Sequence, residues 1–129
     1  MNPKFLKLNI LLCISFLASL FLNCNSKNTL DNEITITIKS IDKESLQPRI
    51  NKFDTVEVRK EGIGILKKTF NKVGEYVTDS TASVKIKIDT TKIYDISVSG
   101  LNASGGNMYY PGHLKDNQEI DIQIITYKK

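Results

Sequence analysis

Short runs of alternating apolar and polar residues make up most of the chain after residue 32. Residues 34–38 read Ile-Thr-Ile-Thr-Ile, 84–88 read Val-Lys-Ile-Lys-Ile and 94–98 read Tyr-Asp-Ile-Ser-Val. A period of two places one face of a strand against a core and the other face in water, as is typical of antiparallel sheets. Since no segment carries ten residues of helical periodicity, the pattern predicts an all-β domain.

Turn-forming residues separate these runs and set the expected strand bounds. The prediction is a single antiparallel β-sandwich of about seven strands, because strand starts recur every ~8–12 residues. The predicted strands are 33–41, 53–60, 63–70, 73–78, 83–89, 92–99 and 118–127. The strand 118–127 is expected at a sheet edge, and residues 101–118 are expected to form a long loop.

One stretch of motifs adds a family resemblance to this pattern. Thr78-Asp79-Ser80 forms a turn that leads into the strand 84–88 and then into the Tyr-x-Ile-x-Val run at 94–98. In this order the chain resembles the transthyretin-like sandwiches, which include the carboxypeptidase regulatory-like domains, although Ala82 stands where that family prefers Gly. The resemblance covers about residues 33–100 and implies a transthyretin-like or immunoglobulin-like sandwich.

The first 23 residues differ in composition from the rest of the chain. Lys4 and Lys7 precede an apolar stretch, residues 8–22, and Cys24 follows this stretch closely. A spanning helix needs ~20 predominantly apolar residues, so this stretch is short for one. A positive start before a short apolar run is typical of a secretory signal segment. An ordinary secretory signal and a short uncleaved anchor are the alternatives to a lipoprotein signal.

The residues before Cys24 carry a second resemblance. Phe21-Leu22-Asn23-Cys24 resembles the lipobox of bacterial lipoproteins, with Phe21 and Asn23 in place of the usual residues. The resemblance implies cleavage before Cys24, a diacylglycerol thioether on its sulfur and a further acyl chain, such as palmitate, on its amine. Asn25 is not the Asp of the inner-membrane retention signal, which favours the outer membrane, facing the periplasm.

These signals divide the chain into three parts. Residues 1–23 are predicted to be a lipoprotein signal peptide, 24–32 a lipidated flexible tether and 33–129 the β-sandwich domain. The whole chain carries 18 Lys and Arg against 14 acidic residues. Because Lys4 and Lys7 leave with the signal peptide, the mature charge falls to about +2, and no nucleic-acid partner is expected. Cys13 also leaves, so the domain is expected to contain no disulfide.

The predicted 101–118 loop holds the candidate contact residues. They are Asn107, Met108, Tyr109, Tyr110 and His113. Adjacent tyrosines can form a stacking surface for a sugar or a protein, since each ring joins an apolar body to a polar tip. The alternative is that one tyrosine caps the domain and the other is half exposed. His113 is the only histidine, so the sequence predicts no metal site, no cofactor and no catalytic residue.

Three Asp-Ser/Thr triplets match a sequon for periplasmic O-glycosylation. They are Asp54-Thr55-Val56, Asp79-Ser80-Thr81 and Asp89-Thr90-Thr91, which makes Thr55, Ser80 and Thr90 candidate attachment sites. Turns stabilised by an Asp side chain explain the same residues without a sugar.

Together these features favour a lipid-anchored binding or scaffolding module of the cell envelope that is not an enzyme. Its expected partners are the membrane, through the lipid on Cys24, and an envelope protein that contacts exposed loops or an edge strand. A carbohydrate-binding lipoprotein that uses the 101–118 loop to hold a glycan is one alternative. A small inhibitor or immunity lipoprotein is another.

Overall fold

The computed structural model describes residues 32–64 and 67–127, and within these ranges it contains seven β-strands and no helix. The strands are β1 (Glu33–Asp42), β2 (Thr55–Glu61), β3 (Phe70–Val77), β4 (Ser83–Asp89), β5 (Tyr94–Gly100), β6 (Ala103–Tyr109) and β7 (Gln118–Thr126). The predicted all-β class is confirmed. Cys24 and the predicted signal peptide lie outside the described residues.

The seven strands form one mixed sheet that is nearly barrel-shaped, in the order β3-β2-β5-β6-β7-β1-β4. Neighbouring strands are antiparallel except β1 and β7, which run parallel from Ile36 beside Gln118 to Asp42 beside Ile124. The prediction of a wholly antiparallel arrangement is therefore wrong. The predicted edge position of β7 is also wrong, because β7 lies between β6 and β1 and the edge strands are β3 and β4.

The core is built from the inward positions of the alternating runs. Burial of a Val, Leu or Ile side chain contributes about 1.5–3 kcal/mol, so this cluster is the main source of stability. Ile36 and Ile38 of β1, Val56 of β2, and Ile122 and Ile124 of β7 are fully buried, and Ile96 and Val98 of β5 are buried with them. The polar residues between these positions face outward.

The connection between β2 and β3 differs from its prediction. The predicted strand 63–70 is not formed, since the described residues 62–64 and 67–69 lie outside strands and β3 starts only at Phe70. The predicted strand 73–78 is instead the second half of β3. The register between β2 and β3 shifts by one residue between Val58 and Arg59. Val73 is the extra residue of this β-bulge, and β3 continues through it as one strand.

The prediction of one long loop at 101–118 is also wrong. Its first half is a strand, β6, which pairs with β5 from Gly100 beside Ala103 to Tyr94 beside Tyr109. The two residues between these strands, Leu101 and Asn102, form a tight hairpin turn, and Asn102 adopts a left-handed φ of 52°. The loop proper is 110–117.

Candidate functional site

Strand directions divide the loops between two ends of the domain. β1 starts beside the end of β4, with Glu33 paired to Asp89, and runs toward the start of β4, with Lys39 paired to Ser83. Asn32, the turn 90–93 and the loop 110–117 therefore share one end, which we call the Asn32 pole.

The opposite end carries the loop between β1 and β2. The loop 43–54, the turn 78–82, the turn 101–102 and Tyr127 lie together there. Asn51 N–H donates to the carbonyl of Ser80, and Tyr127 N–H donates to the carbonyl of Asn102. We call this end the Phe53 pole.

A buried carboxylate organises the Phe53 pole. Asp54 is fully buried and accepts hydrogen bonds from Ser40 Oγ at 2.5 Å and from Arg49 Nε at 2.8 Å. Arg49 Nη2 adds a third contact, at 3.2 Å. The arginine side chain is itself almost inaccessible, so this is a buried, forked ion pair of the kind that fixes geometry.

Arg49 also ties the loop 43–54 to distant parts of the chain. Its Nη1 lies 3.4 Å from Thr126 Oγ1 at the end of β7 and 3.9 Å from Asp42 Oδ2 at the end of β1. The end of β5 fits against the pair because Gly100 has no side chain. A Cβ at that position would lie 2.0 Å from Asp54 Oδ1. The ion pair therefore holds four strand ends in one arrangement.

The loop 43–54 follows an unusual backbone path. Leu46, Asn51 and Phe53 adopt positive φ values of 57°, 58° and 50°. For a leucine or phenylalanine this conformation is strained and persists only when the surroundings enforce it. Asp42 supplies part of that enforcement, since its carboxylate accepts hydrogen bonds from both the amide and the hydroxyl of Ser45.

The fixed loops present apolar side chains to solvent. Leu101 at the tip of the β5–β6 turn is 89 % exposed, Leu46 is 62 %, Ile50 is 56 % and Phe53 is 55 %. Tyr127 is exposed beside them, with its hydroxyl 2.9 Å from Ser104 Oγ. Single exposed apolar residues are ordinary, but several grouped at one end on rigid loops are typical of a contact surface.

The sequence pattern does not predict this surface. It places Phe53 at the start of a predicted strand and indicates no partner for Arg49 or Asp54. The available signal was the length of the connection between the first two alternating runs, combined with apolar residues that break the period of two at positions 46, 50 and 53. Long loops inside a compact domain are commonly functional.

The predicted contact residues lie along β6 and at the Asn32 pole instead. Asn107 and Met108 are exposed on β6, and Tyr109 ends that strand. Tyr110 and His113 follow in the loop 110–117, with ring centroids 5.5 Å apart in an edge-to-face arrangement. The structure therefore brings Tyr110 and His113 together at one end of the domain.

The two tyrosines have different environments. Tyr109 is half-buried and packs against the core, and this burial raises the pKa of its hydroxyl. Tyr110 is 45 % exposed. A flat sugar-stacking surface requires both rings to be accessible on one rim, and here Tyr110 alone is largely accessible.

In two of the three glycosylation triplets the Asp side chain stabilises a turn. Asp79 accepts hydrogen bonds from the amide and hydroxyl of Thr81, and Asp89 accepts the same pair from Thr91. These hydroxyl bonds are the main cause of the lowered pKa of each carboxyl group. Among the candidate sites, Ser80 is exposed, whereas Thr55 and Thr90 are half-buried. Glycosylation at these positions stays a prediction.

Across residues 32–64 and 67–127, no three His, Cys, Asp or Glu side chains converge so as to hold a metal ion. The same residues include no helix long and apolar enough to cross a bilayer.

Comparison with known proteins adds no assignment. No protein-family model matches this chain, and no curated protein matches it.

Proposed function

We propose that this chain is a lipid-anchored binding or scaffolding module of the cell envelope, without catalytic activity. The signal-like start at Lys4 and Lys7, the apolar residues 8–22 and the lipobox-like Cys24 support the anchor. In this proposal the diacylated Cys24 holds the domain to the outer membrane on its periplasmic side. Two or more acyl chains on one cysteine give stable membrane attachment.

The observation that carries the binding role is the placement of apolar residues at the Phe53 pole. In this proposal the chain from Cys24 enters the domain at the Asn32 pole. β1 spans ten residues, which separates the two poles by about 33 Å. The Phe53 pole is therefore the end of the domain opposite the point where the chain enters it.

The chemistry of the Phe53 pole favours a protein as its occupant. Leu46, Phe53 and Leu101 present exposed apolar side chains that a pocket on a protein can cover. The Arg49–Asp54 pair holds the loop 43–54, so little entropy of that loop is lost on docking. An apolar pocket on an envelope protein that receives these side chains fits the surface best.

We also infer a finer description of the fold. The curved sheet is proposed to be a sandwich of transthyretin-like kind, with β4, β1 and β7 in one layer and β3, β2, β5 and β6 in the other. The join between β6 and β7 supports this view, because it consists of two residue pairs, Ala103 with Thr126 and Ser104 with Ile125.

Affinity capture of the intact protein from its native envelope tests the proposed function. The wild-type chain and Cys24→Ser are captured in parallel, and the mass of each mature chain is measured. We expect the wild type to start at Cys24 with lipid mass added, to sediment with membranes and to retain one defined protein.

Two results would contradict the proposal. An unlipidated wild-type chain that is as soluble as Cys24→Ser would remove the anchor. A lipidated chain that retains a glycan and no protein would remove the scaffold role and move the function to carbohydrate binding.

A further inference from the structure

Edge strand β3 is the most exposed strand of the sheet. Six of its eight residues are exposed, and these include the apolar side chains of Val73, Tyr76 and Val77. β3 pairs with β2, and within residues 32–64 and 67–127 no other strand packs extensively against it. One side of its backbone therefore faces solvent along its length.

Two hydrogen bonds at the ends of β3 show which of its backbone groups point to solvent. Thr78 N–H donates to the carbonyl of Asp54, and Gly62 N–H donates to the carbonyl of Thr69. Hydrogen-bonded and non-hydrogen-bonded pairs alternate along an antiparallel ladder. The N–H and C=O groups directed away from β2 therefore belong to Phe70, Lys72, Glu75 and Val77. We call this row the β3 edge.

The β-bulge at Val73 makes the β3 edge regular and symmetric. Lys72 and Glu75 are three residues apart along the chain. Their partners on β2, Arg59 and Glu57, are only two residues apart. The free backbone groups of Lys72 and Glu75 are therefore separated by about 6.8 Å, the ordinary two-residue spacing of a strand.

A second copy of the chain matches the whole β3 edge. Antiparallel pairing about a two-fold axis between Val73 and Gly74 places Lys72 of one copy opposite Glu75 of the other. The same axis places Phe70 opposite Val77. In no other antiparallel register do all four residues of the β3 edge face one another, so the backbone selects this one.

The side chains of the β3 edge are also self-complementary in this register. Lys72 and Glu75 are exposed and carry opposite charges, and opposite charges that face each other across two strands stabilise the pairing. Within one copy Lys72 Nζ contacts Glu75 and lies 3.4 Å from Glu57. Because an ammonium group has three donors, Lys72 can also bind Glu75 of a second copy. Phe70 and Val77 add an apolar pair at each end.

The other edge strand, β4, is protected against pairing with itself. Its exposed side chains include Lys85 and Lys87, and an antiparallel register centred on Ile86 sets these lysines opposite each other. Like charges in this position oppose edge-to-edge pairing. The backbone N–H of Asp89, at the end of β4, already donates to the hydroxyl of Tyr94. β3 is therefore the edge that a second copy can extend.

We propose that two copies of this chain associate through antiparallel pairing of β3 with β3. Main-chain hydrogen bonds along the β3 edge supply affinity, and the contacts between Lys72 and Glu75 fix the register. A two-fold contact of this kind uses the same surface on both copies, so it closes as a dimer. Antiparallel pairing reverses one copy relative to the other, which leaves the two Phe53 poles at opposite ends. The pairing depends neither on the proposed lipid nor on a protein bound at the Phe53 pole.

Nuclear magnetic resonance on the full-length, isotope-labelled chain in detergent tests this dimer. Spectra are compared at about 20 μM and about 1 mM, so that a dimer with a dissociation constant between these values is detected. We expect the amide signals of 70–77 to shift with concentration, because new hydrogen bonds form along the β3 edge. The amide signals of 84–88 in β4 should not shift.

Charge reversals test the register. Lys72→Glu sets glutamates opposite each other and Glu75→Lys sets lysines opposite each other, so each variant alone should dimerise at least about tenfold more weakly. Labelled Lys72→Glu mixed with unlabelled Glu75→Lys restores two opposite-charge pairs, and the shifts at 70–77 should return. Loss of the contact between Lys72 and Glu75 inside one chain cannot produce this rescue, because both variants lack it.

Glu44→Lys is the matched control for general electrostatic attraction. Glu44 is exposed in the loop 43–54, so this substitution changes the net charge as Glu75→Lys does but leaves β3 unaltered. With labelled Lys72→Glu it forms one attractive and one repulsive pair, and we expect weaker shifts than with Glu75→Lys. An amide spectrum like that of the wild type shows that each variant is folded.

Three results would overturn the proposal. The first is a set of wild-type signals at 70–77 that does not change with concentration. The second is concentration-dependent shifts confined to β4 or to the Phe53 pole, which would place the contact on another surface. The third is equal shifts of labelled Lys72→Glu with Glu75→Lys and with Glu44→Lys, which would show that net charge governs the association.

Discussion

Asp54 is buried inside the domain, where Ser40 Oγ and the Nε and Nη2 atoms of Arg49 contact its carboxylate at 2.5–3.2 Å. The cost of removing these two groups from water is offset only while both partners of the ion pair are present. Removing one partner leaves the other charge desolvated, which typically costs about 3–5 kcal/mol.

Asp54→Ala should therefore lower the free energy of unfolding by about 3–5 kcal/mol, measured by urea denaturation. Glu119→Ala is the matched control. It removes a carboxylate from an ion pair with Lys39 on the surface, where solvent screens the charges, so its effect should be far smaller. Equal losses in the two variants would show that Asp54 contributes no more than a surface charge.

Asp79 and Asp89 give the domain a measurable acid dependence. The lowered pKa of each carboxyl group means that the folded chain binds fewer protons than the unfolded chain just below the ordinary value of 3.8. Their stabilising effect is thus complete above that value and is lost as the pH falls through the lowered folded-state pKa.

The double variant Asp79→Asn, Asp89→Asn should flatten this dependence. Asn retains an oxygen that accepts the turn hydrogen bonds but does not titrate. Urea unfolding between pH 5 and pH 2 should show a shallower loss of stability for the variant than for the wild type. Parallel curves would mean that these two carboxyl groups do not carry the acid response.

At the scale of the strands, the alternating runs predicted the position of the core elements. β1, β4, β5 and β7 each follow a period of two, with buried isoleucine, valine or tyrosine at the inward positions. β6 could not be found in this way. Its sequence, Ala-Ser-Gly-Gly-Asn-Met-Tyr, has no such pattern, and it is a strand because β5 pairs along its whole length.

The close approach of β6 and β7 makes a specific prediction for Gly105. Gly105→Ala places a methyl group against the carbonyl oxygen of Gln123 and should lower stability by about 1–3 kcal/mol through overpacking. Ser104→Ala, one residue earlier on the same strand, should change stability by no more than about 0.5 kcal/mol. If both variants unfold at the same urea concentration, the strands are not in contact at Gly105.

At the scale of the whole molecule, the sequence predicted the class of domain and a candidate anchor, but it did not predict that exposed apolar residues share the Phe53 pole. These residues come from separate loops, and one of these loops contains the ion pair between Arg49 and Asp54. The order of strands around the sheet also could not be read from periodicity, since the parallel pairing of β1 with β7 depends on long-range contacts.

We propose that the anchored domain meets a protein through its Phe53 pole. The most direct test is site-specific photo-crosslinking in cells that produce the full-length chain, with the crosslinker in turn at Leu101, Tyr110 and Lys87. Leu101 lies at the Phe53 pole, Tyr110 at the Asn32 pole, and Lys87 on the exposed face of edge strand β4.

We expect one defined protein adduct from Leu101, none from Lys87 and none from Tyr110, and we expect the Leu101 adduct to disappear when Cys24→Ser is added. An adduct from Tyr110 in place of Leu101, or equal labelling at all three positions, would show that the Phe53 pole is not the surface that meets the protein.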